Sequence, residues 1–167
     1  MERLIYEAPD GDLIIQPTPE QLAAIIRHAG HEYWQRGGDG EAAIRVAKRH
    51  DDGRNVSHAV ILRDGTKVEY AAGQPELWIK QPEPERFFLT WDCHQGPIVP
   101  YDGSGCEAFV MDERGGNPFK IPRACLVAPA EAVETVREFL QSRGRSKVVR
   151  WLSWYELPLP ADWDDYL

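Results

Sequence analysis

Short β-branched and aromatic runs, each stopped by a turn dipeptide or by prolines, govern what this 167-residue chain can fold into. Val56 to Leu62 and Lys67 to Ala71 flank Asp64-Gly65, a strong tight-hairpin signal. Leu77 to Gln81 and Arg86 to Trp91 flank Pro82-Glu83-Pro84-Glu85, whose prolines are expected to end both strands. Leu4 to Tyr6 and Leu13 to Gln16 bracket the turn Pro9-Asp10-Gly11. Ala42 to Lys48 mixes helix formers with alternating Ile44 and Val46. It reads as a strand, because Asp51-Asp52-Gly53-Arg54-Asn55 follows as a hairpin loop into the next run. Cys106 to Met111, Lys120 to Leu126 and Val148 to Tyr155 are further strands, with Pro122 marking an edge or bulge.

Two helices interrupt this pattern. Thr18-Pro19-Glu20-Gln21 supplies a cap, a proline at the first helical position and a partner for a capping box. Leu22, Ile25, Ile26, Ala29 and Tyr33 then form one apolar face, and Gly37-Gly38 is the expected stop. From Pro129 to Arg143, Val133, Val136 and Leu140 share a face with Phe139 beside them. Gly144 suits the stop, and Arg143 and Arg145 suit the negative end of the helix dipole. Many hairpins with two main helices predict a single α+β domain over residues 1–167, a mostly antiparallel sheet covered on one face by helices. Residues 158–167 form an acidic aromatic tail, and the Gly-, Pro- and Asp-rich stretch Asp92 to Gly105 reads as one long loop.

Charge and cysteines narrow the function classes. The formal net charge of −8 disfavours direct binding to phosphate backbones and is compatible with solubility or with a basic protein partner. After Arg150 there is no Lys or Arg, while Glu156, Asp162, Asp164 and Asp165 follow. Cys93, Cys106 and Cys125 are odd in number and unpaired in spacing, as expected of reduced, cytoplasmic thiols. No apolar run is long enough for a membrane span, and residues 1–7 lack a secretory pattern, so no membrane association is expected.

Catalytic motifs are weak. His28 and His31, three apart beside Glu32, have a metal-compatible spacing, but the order His-Glu-x-x-His and a third ligand are missing, and a polar helix face explains them. Cys93-His94 invites a nucleophile and base reading, yet adjacent residues in a strand point to opposite faces. The deaminase zinc pattern is absent, and the glycine pairs match neither a phosphate loop nor a dinucleotide fingerprint. No enzyme activity, metal or cofactor is therefore expected. A small cytosolic hydrolase using Cys93 or the histidine pair, or a protein-interaction adaptor unrelated to toxins, remain the alternatives. Of the tryptophans, Trp151 and Trp154 would leave a regular strand on opposite faces, one into the core and one towards another cover.

The order of Gly115-Gly116-Asn117-Pro118-Phe119-Lys120-Ile121-Pro122, a helix, and Trp151-Leu152-Ser153-Trp154 resembles the C-terminal half of immunity-protein family 1 of bacterial polymorphic toxin systems. The resemblance spans roughly residues 106–156, and nothing before about residue 55 has a counterpart in it. It implies a small α+β protein that binds and occludes a co-encoded toxin, often a nucleic-acid deaminase, with Trp151 or Trp154 as the family tryptophan. The toxin's own surface is expected to be basic, since it must hold phosphates. Charge and position, independently of the resemblance, nominate Asp92 and Asp102 in the long loop and Asp162, Trp163, Asp164, Asp165 and Tyr166 in the tail as partner-binding residues.

Overall fold

The computed structural model describes residues 3–48, 53, 55–62, 64–93, 95–114 and 118–163. In chain order these form β1 (Arg3–Glu7), β2 (Leu13–Ile15), α1 (Pro19–His28), α2 (His31–Trp34), β3 (Glu41–Ala47) and β4 (Val56–Ile61). There follow β5 (Lys67–Ala71), β6 (Glu76–Glu83), β7 (Arg86–Cys93), β8 (Gly96–Pro100), β9 (Phe109–Asp112), β10 (Phe119–Pro122), β11 (Leu126–Val127), α3 (Pro129–Ser142) and β12 (Trp151–Ser153). The fold is α+β, and the strand pairs are antiparallel. The main sheet runs β12-β8-β7-β6-β3-β1-β2, with β5 added to β3, β4 added to β5, and β11 added to β7. No helix of the described residues is long and apolar enough to cross a membrane.

Alternation along the strands sorts their side chains between two faces. Leu4 and Tyr6 of β1, Ala42, Ile44 and Val46 of β3, Leu77 and Ile79 of β6, and Phe87 and Leu89 of β7 face the helices. They pack against Leu22 and Ile26 of α1 and Val133, Val136 and Phe139 of α3. Each fully buried Val, Leu, Ile or Phe among them contributes about 1.5–3 kcal/mol by leaving water. Thr18 caps α1 through Gln21 N, and Gln21 returns the bond to Thr18 N, so the capping box forms as its spacing predicts.

Among the described residues, secondary-structure elements cover the opposite face at its ends. At one end the β4–β5 hairpin folds over it, burying Ile5, Ala47, Val68 and Tyr70. At the other the β9–β10 hairpin and the 3-10 turn Arg123–Cys125 bury Phe88, Val99, Cys106, Ile121 and Cys125. Burial pushes the Cys125 thiol up to about 12, with smaller contributions from Cys106 and Asp102, so it stays protonated in this apolar setting.

Several local expectations change in the structure. The first helix breaks at Ala29, whose backbone is extended, and restarts from Gly30 as α2. The reorientation places Trp34, fully buried, edge-on to Phe87 at 5.3 Å. The segment after β3 does not make a β3–β4 hairpin, since β5 lies between them. Strand β6 continues through Pro82 to Glu83, because a bulge between Lys80 and Glu83 relieves the ladder where the proline has no N–H to give. The stretch Asp92 to Gly105 is not one loop, for it contains β8. Gly96 to Ile98 pair with β7 and Ile98 to Pro100 with β12, so Pro97 and Pro100 each face one neighbouring strand only. Arg143, not Gly144, takes the left-handed position after α3, with φ +61°, and its guanidinium donates to the carbonyls of Phe139 and Leu140.

One buried carboxylate ties these layers together. Asp112 on β9, 2% exposed, accepts from Lys80 Nζ of β6 at 2.9 Å and from Arg114 Nε at 2.6 Å, while Arg114 Nη1 donates to the Trp34 carbonyl. Burial alone would raise the Asp112 pKa, but hydrogen bonds from Arg114 and Lys80 outweigh it and hold the group below the usual range. Asp112→Ala is therefore expected to cost about 3–5 kcal/mol in urea unfolding, because largely buried Arg114 loses its counter-charge and Lys80 is left with Glu41 alone. A depressed folded pKa adds stability that is complete above about pH 4 and is lost as pH falls through the folded value. Stability of the wild type should accordingly fall more steeply below about pH 4 than that of Asp112→Asn; equal slopes would contradict the assignment.

Candidate functional site

Between its two covered ends, the second face of the sheet carries a polar strip set by strand register. Ala43, Trp78 and Thr90 lie in one row across β3, β6 and β7, and Glu76 and Asp92 lie in the next. Arg45 of β3, only 7% exposed in its side chain, is the hub. Its Nε donates to Glu76 Oε2 at 3.1 Å and its Nη1 to Glu7 Oε2. The guanidinium lies over the Trp78 ring at 4.2 Å and the Tyr70 ring at 5.2 Å. Two carboxylates share one buried cation, and Asp92 stands beside Glu76, so the strip holds three carboxylates against one guanidinium.

Its electrostatics follow from that balance. Burial, then the Glu7 carboxylate, pushes the Tyr70 phenol up to about 12, keeping it a neutral donor towards Glu7. His58 sits 4.5 Å from Tyr70, and desolvation followed by the Arg45 charge lowers its pKa, which favours the neutral imidazole. Half-buried Trp78, stacked on an immobilised arginine and ringed by acids, has the composition of an interface anchor for a basic surface.

Among the described residues nominated from charge and position, Asp92 and Asp102 lie apart. Asp92 lies in β7, on the strip. Asp102 follows β8 at its other end, five residues beyond the Pro97 that pairs with Asp92, about 17 Å away at strand rise. There it accepts from Ser104 N and Oγ and lines a groove of about 410 Å³ with Arg86, Glu131 and Arg150. Asp162 is exposed on the tail. Trp163 is half-buried, edge-on to Phe109 at 5.7 Å and 5.7 Å from Lys120 Nζ, so the tail packs on the β9–β10 hairpin at this point. Asp164, Asp165 and Tyr166 lie outside the described residues.

The candidate chemical groups are placed as follows. Cys93 is half-buried opposite Gly96 and shares a shallow depression with Glu76 and Asp92; the described lining holds two carboxylates and no cation, whereas activated cysteines sit in electropositive surroundings. His94 lies outside the described residues. His31 is bonded at both ring nitrogens, by Gln81 Oε1 at 2.8 Å and Gln35 Nε2 at 2.9 Å. His28 is separated from it by the helix break, and no group of three metal-ligating side chains is found among the described residues. Trp151 packs into the core beneath the helices, as expected of one of the pair, while Trp154 opens a 3-10 turn and lies against Phe88 and Phe119 in the second core.

Sequence reasoning missed Arg45, Trp78, Glu7 and Glu76. A signal for the first was present: Arg45 is the lone charge inside Ala42-Ala43-Ile44-Arg45-Val46-Ala47, where a buried strand demands a partner for it. The chain matches no protein-family model and no curated protein.

Arg45→Ala leaves Glu7 and Glu76 without their common cation and is expected to destabilise by about 3–5 kcal/mol in denaturant unfolding. Combining it with Glu7→Gln and Glu76→Gln should recover part of the loss; additive losses would show that the arginine acts through packing on Trp78 and Tyr70 rather than through charge.

Proposed function

We propose that this chain is a non-enzymatic inhibitor of the immunity-protein kind, which binds a cognate bacterial toxin and occludes it. The observation that carries the proposal is the half-buried, acid-flanked Trp78 held on buried Arg45 in the middle of the sheet, between the two ends covered by hairpins among the described residues. A toxin that acts on nucleic acid, the deaminase class included, needs a basic cleft. A protein of net charge −8 is drawn to such a cleft at long range, and Trp78 supplies a preorganised ring for the docked state. The order of elements over residues 106–156, which resembles immunity-protein family 1, supports the same reading. The two kinds of group would have separate kinetic roles: carboxylates steer the encounter, and the tryptophan slows departure.

The experiment is co-expression in a bacterium with the toxin domain encoded directly upstream, together with binding kinetics on the purified pair. The wild type is expected to protect the cells. Trp78→Ala should weaken the complex by roughly 2 kcal/mol or more, mainly through faster dissociation, an effect read at a temperature where the variant, which loses the ring under Arg45, is still folded. Asp92→Asn should slow association at low salt and have little effect once the Debye length falls to about 3 Å near 1 M salt. Protection by Trp78→Ala with unaltered kinetics would remove the strip from the interface, and failure of the wild type to protect or bind would overturn the proposed function.

A further inference from the structure

A second feature lies beside the strip, in the way the sheet curls. Strands β2, β1, β3, β5 and β4 are consecutive antiparallel neighbours around the third apolar core, like staves of a barrel with one stave missing. Its two end strands, β2 and β4, border a groove of about 330 Å³. Leu13 and Ile15 of β2 and Val60 and Ile61 of β4 line it. Ile15 is 41% exposed and Ile61 72%, an unusual display for strand edges, which are commonly guarded by lysine or proline.

The backbone is also set to pair. Ala8 N donates to the Asp12 carbonyl and Gln16 N to the Leu4 carbonyl, which directs residues 12, 14 and 16 towards β1. Leu13 and Ile15, between them, turn their N–H and C=O groups outward to the edge. Among the described lining residues the ionisable groups are Asp10, Asp12 and Asp64, all acidic, with Arg36 bridging Asp10 at 3.7 Å from one side.

We propose that this seam is a strand-acceptor site for an extended segment of a partner protein in which apolar residues alternate with lysine or arginine. Main-chain pairing to Leu13 and Ile15 supplies affinity, apolar side chains enter between Ile15 and Val60 on the core side while Ile61 borders the outer side, and the cations meet the aspartate rim. A second copy of this chain is the poorer occupant, since edge-to-edge pairing would bring the same aspartates against each other. The site goes beyond the toxin reading and is tested without it.

The test is an NMR titration of the full chain with a capped seven-residue peptide of alternating lysine and valine, and with its glutamate–valine counterpart. The lysine peptide is expected to saturate with amide shifts centred on Leu13, Ile15, Val60 and Ile61, and the glutamate peptide to be at least about tenfold weaker. Ile15→Pro, which removes one outward N–H without touching the β1 pairing, and Ile61→Lys, at an exposed position, should each weaken the lysine peptide at least about tenfold. Indistinguishable affinities for the two peptides, shifts located elsewhere, or no saturable binding would overturn the proposal. So would a dimer in sedimentation that Ile15→Pro abolishes, which would give the seam to a second copy. The peptide reads the seam alone and toxin co-expression reads the Trp78 strip, so either can fail without the other.

Discussion

Arg45 imposes the constraint on which the second face of the sheet depends. Strand β3 is buried along nearly its whole length, so the guanidinium in it must find its counter-charge within the sheet. It does so across both neighbouring strands, at Glu7 of β1 and Glu76 of β6, and it lies flat on Trp78 and Tyr70. Because these partners come from three other strands, their alignment fixes the register of the sheet centre, where a one-residue slip would send Arg45 into the apolar core under the helices.

The same arrangement explains why the middle of this face stays polar while its ends are closed. The β4–β5 hairpin covers Ile5 and Ala47, and the β9–β10 hairpin covers Phe88 and Val99, each burying apolar side chains of the sheet. Covering Arg45, Glu7 and Glu76 with apolar side chains would strip water from an ion cluster that carries excess negative charge, at a cost of several kcal/mol. A partner with its own cations meets no such penalty. Both proposals, for the polar strip and for the acidic seam beside it, draw on one property of the sheet, its excess of carboxylates over cations on this side.

Much of the fold was legible in local pattern. The capping box at Thr18 and Gln21, the Asp64-Gly65 hairpin and the paired strands around Pro9-Asp10-Gly11 depend on neighbours in sequence, and they form as read. What failed depends on neighbours in space. Pro97 and Pro100 argued for a loop, because nothing local reveals that β8 is staggered between β7 and β12. The helix face running on to Tyr33 concealed the break at Ala29 and Gly30, which serves the burial of Trp34 against a distant Phe87. The site was least legible. Net charge along the chain nominated the tail, where Trp163 rests on Phe109, and could not point to Trp78, which acquires its acidic neighbours through a register that links residues 7, 45, 76 and 92.

The indole N–H signals of the six tryptophans offer the most direct test, since each reports on a different part of the molecule in one spectrum. On titrating the chain with the purified toxin domain, the account predicts that the Trp78 signal moves or broadens most, while Trp34, fully buried beneath the helices, stays in place. A spectrum in which Trp163 responds and Trp78 does not would contradict it, placing the partner on the tail and the β9–β10 hairpin instead.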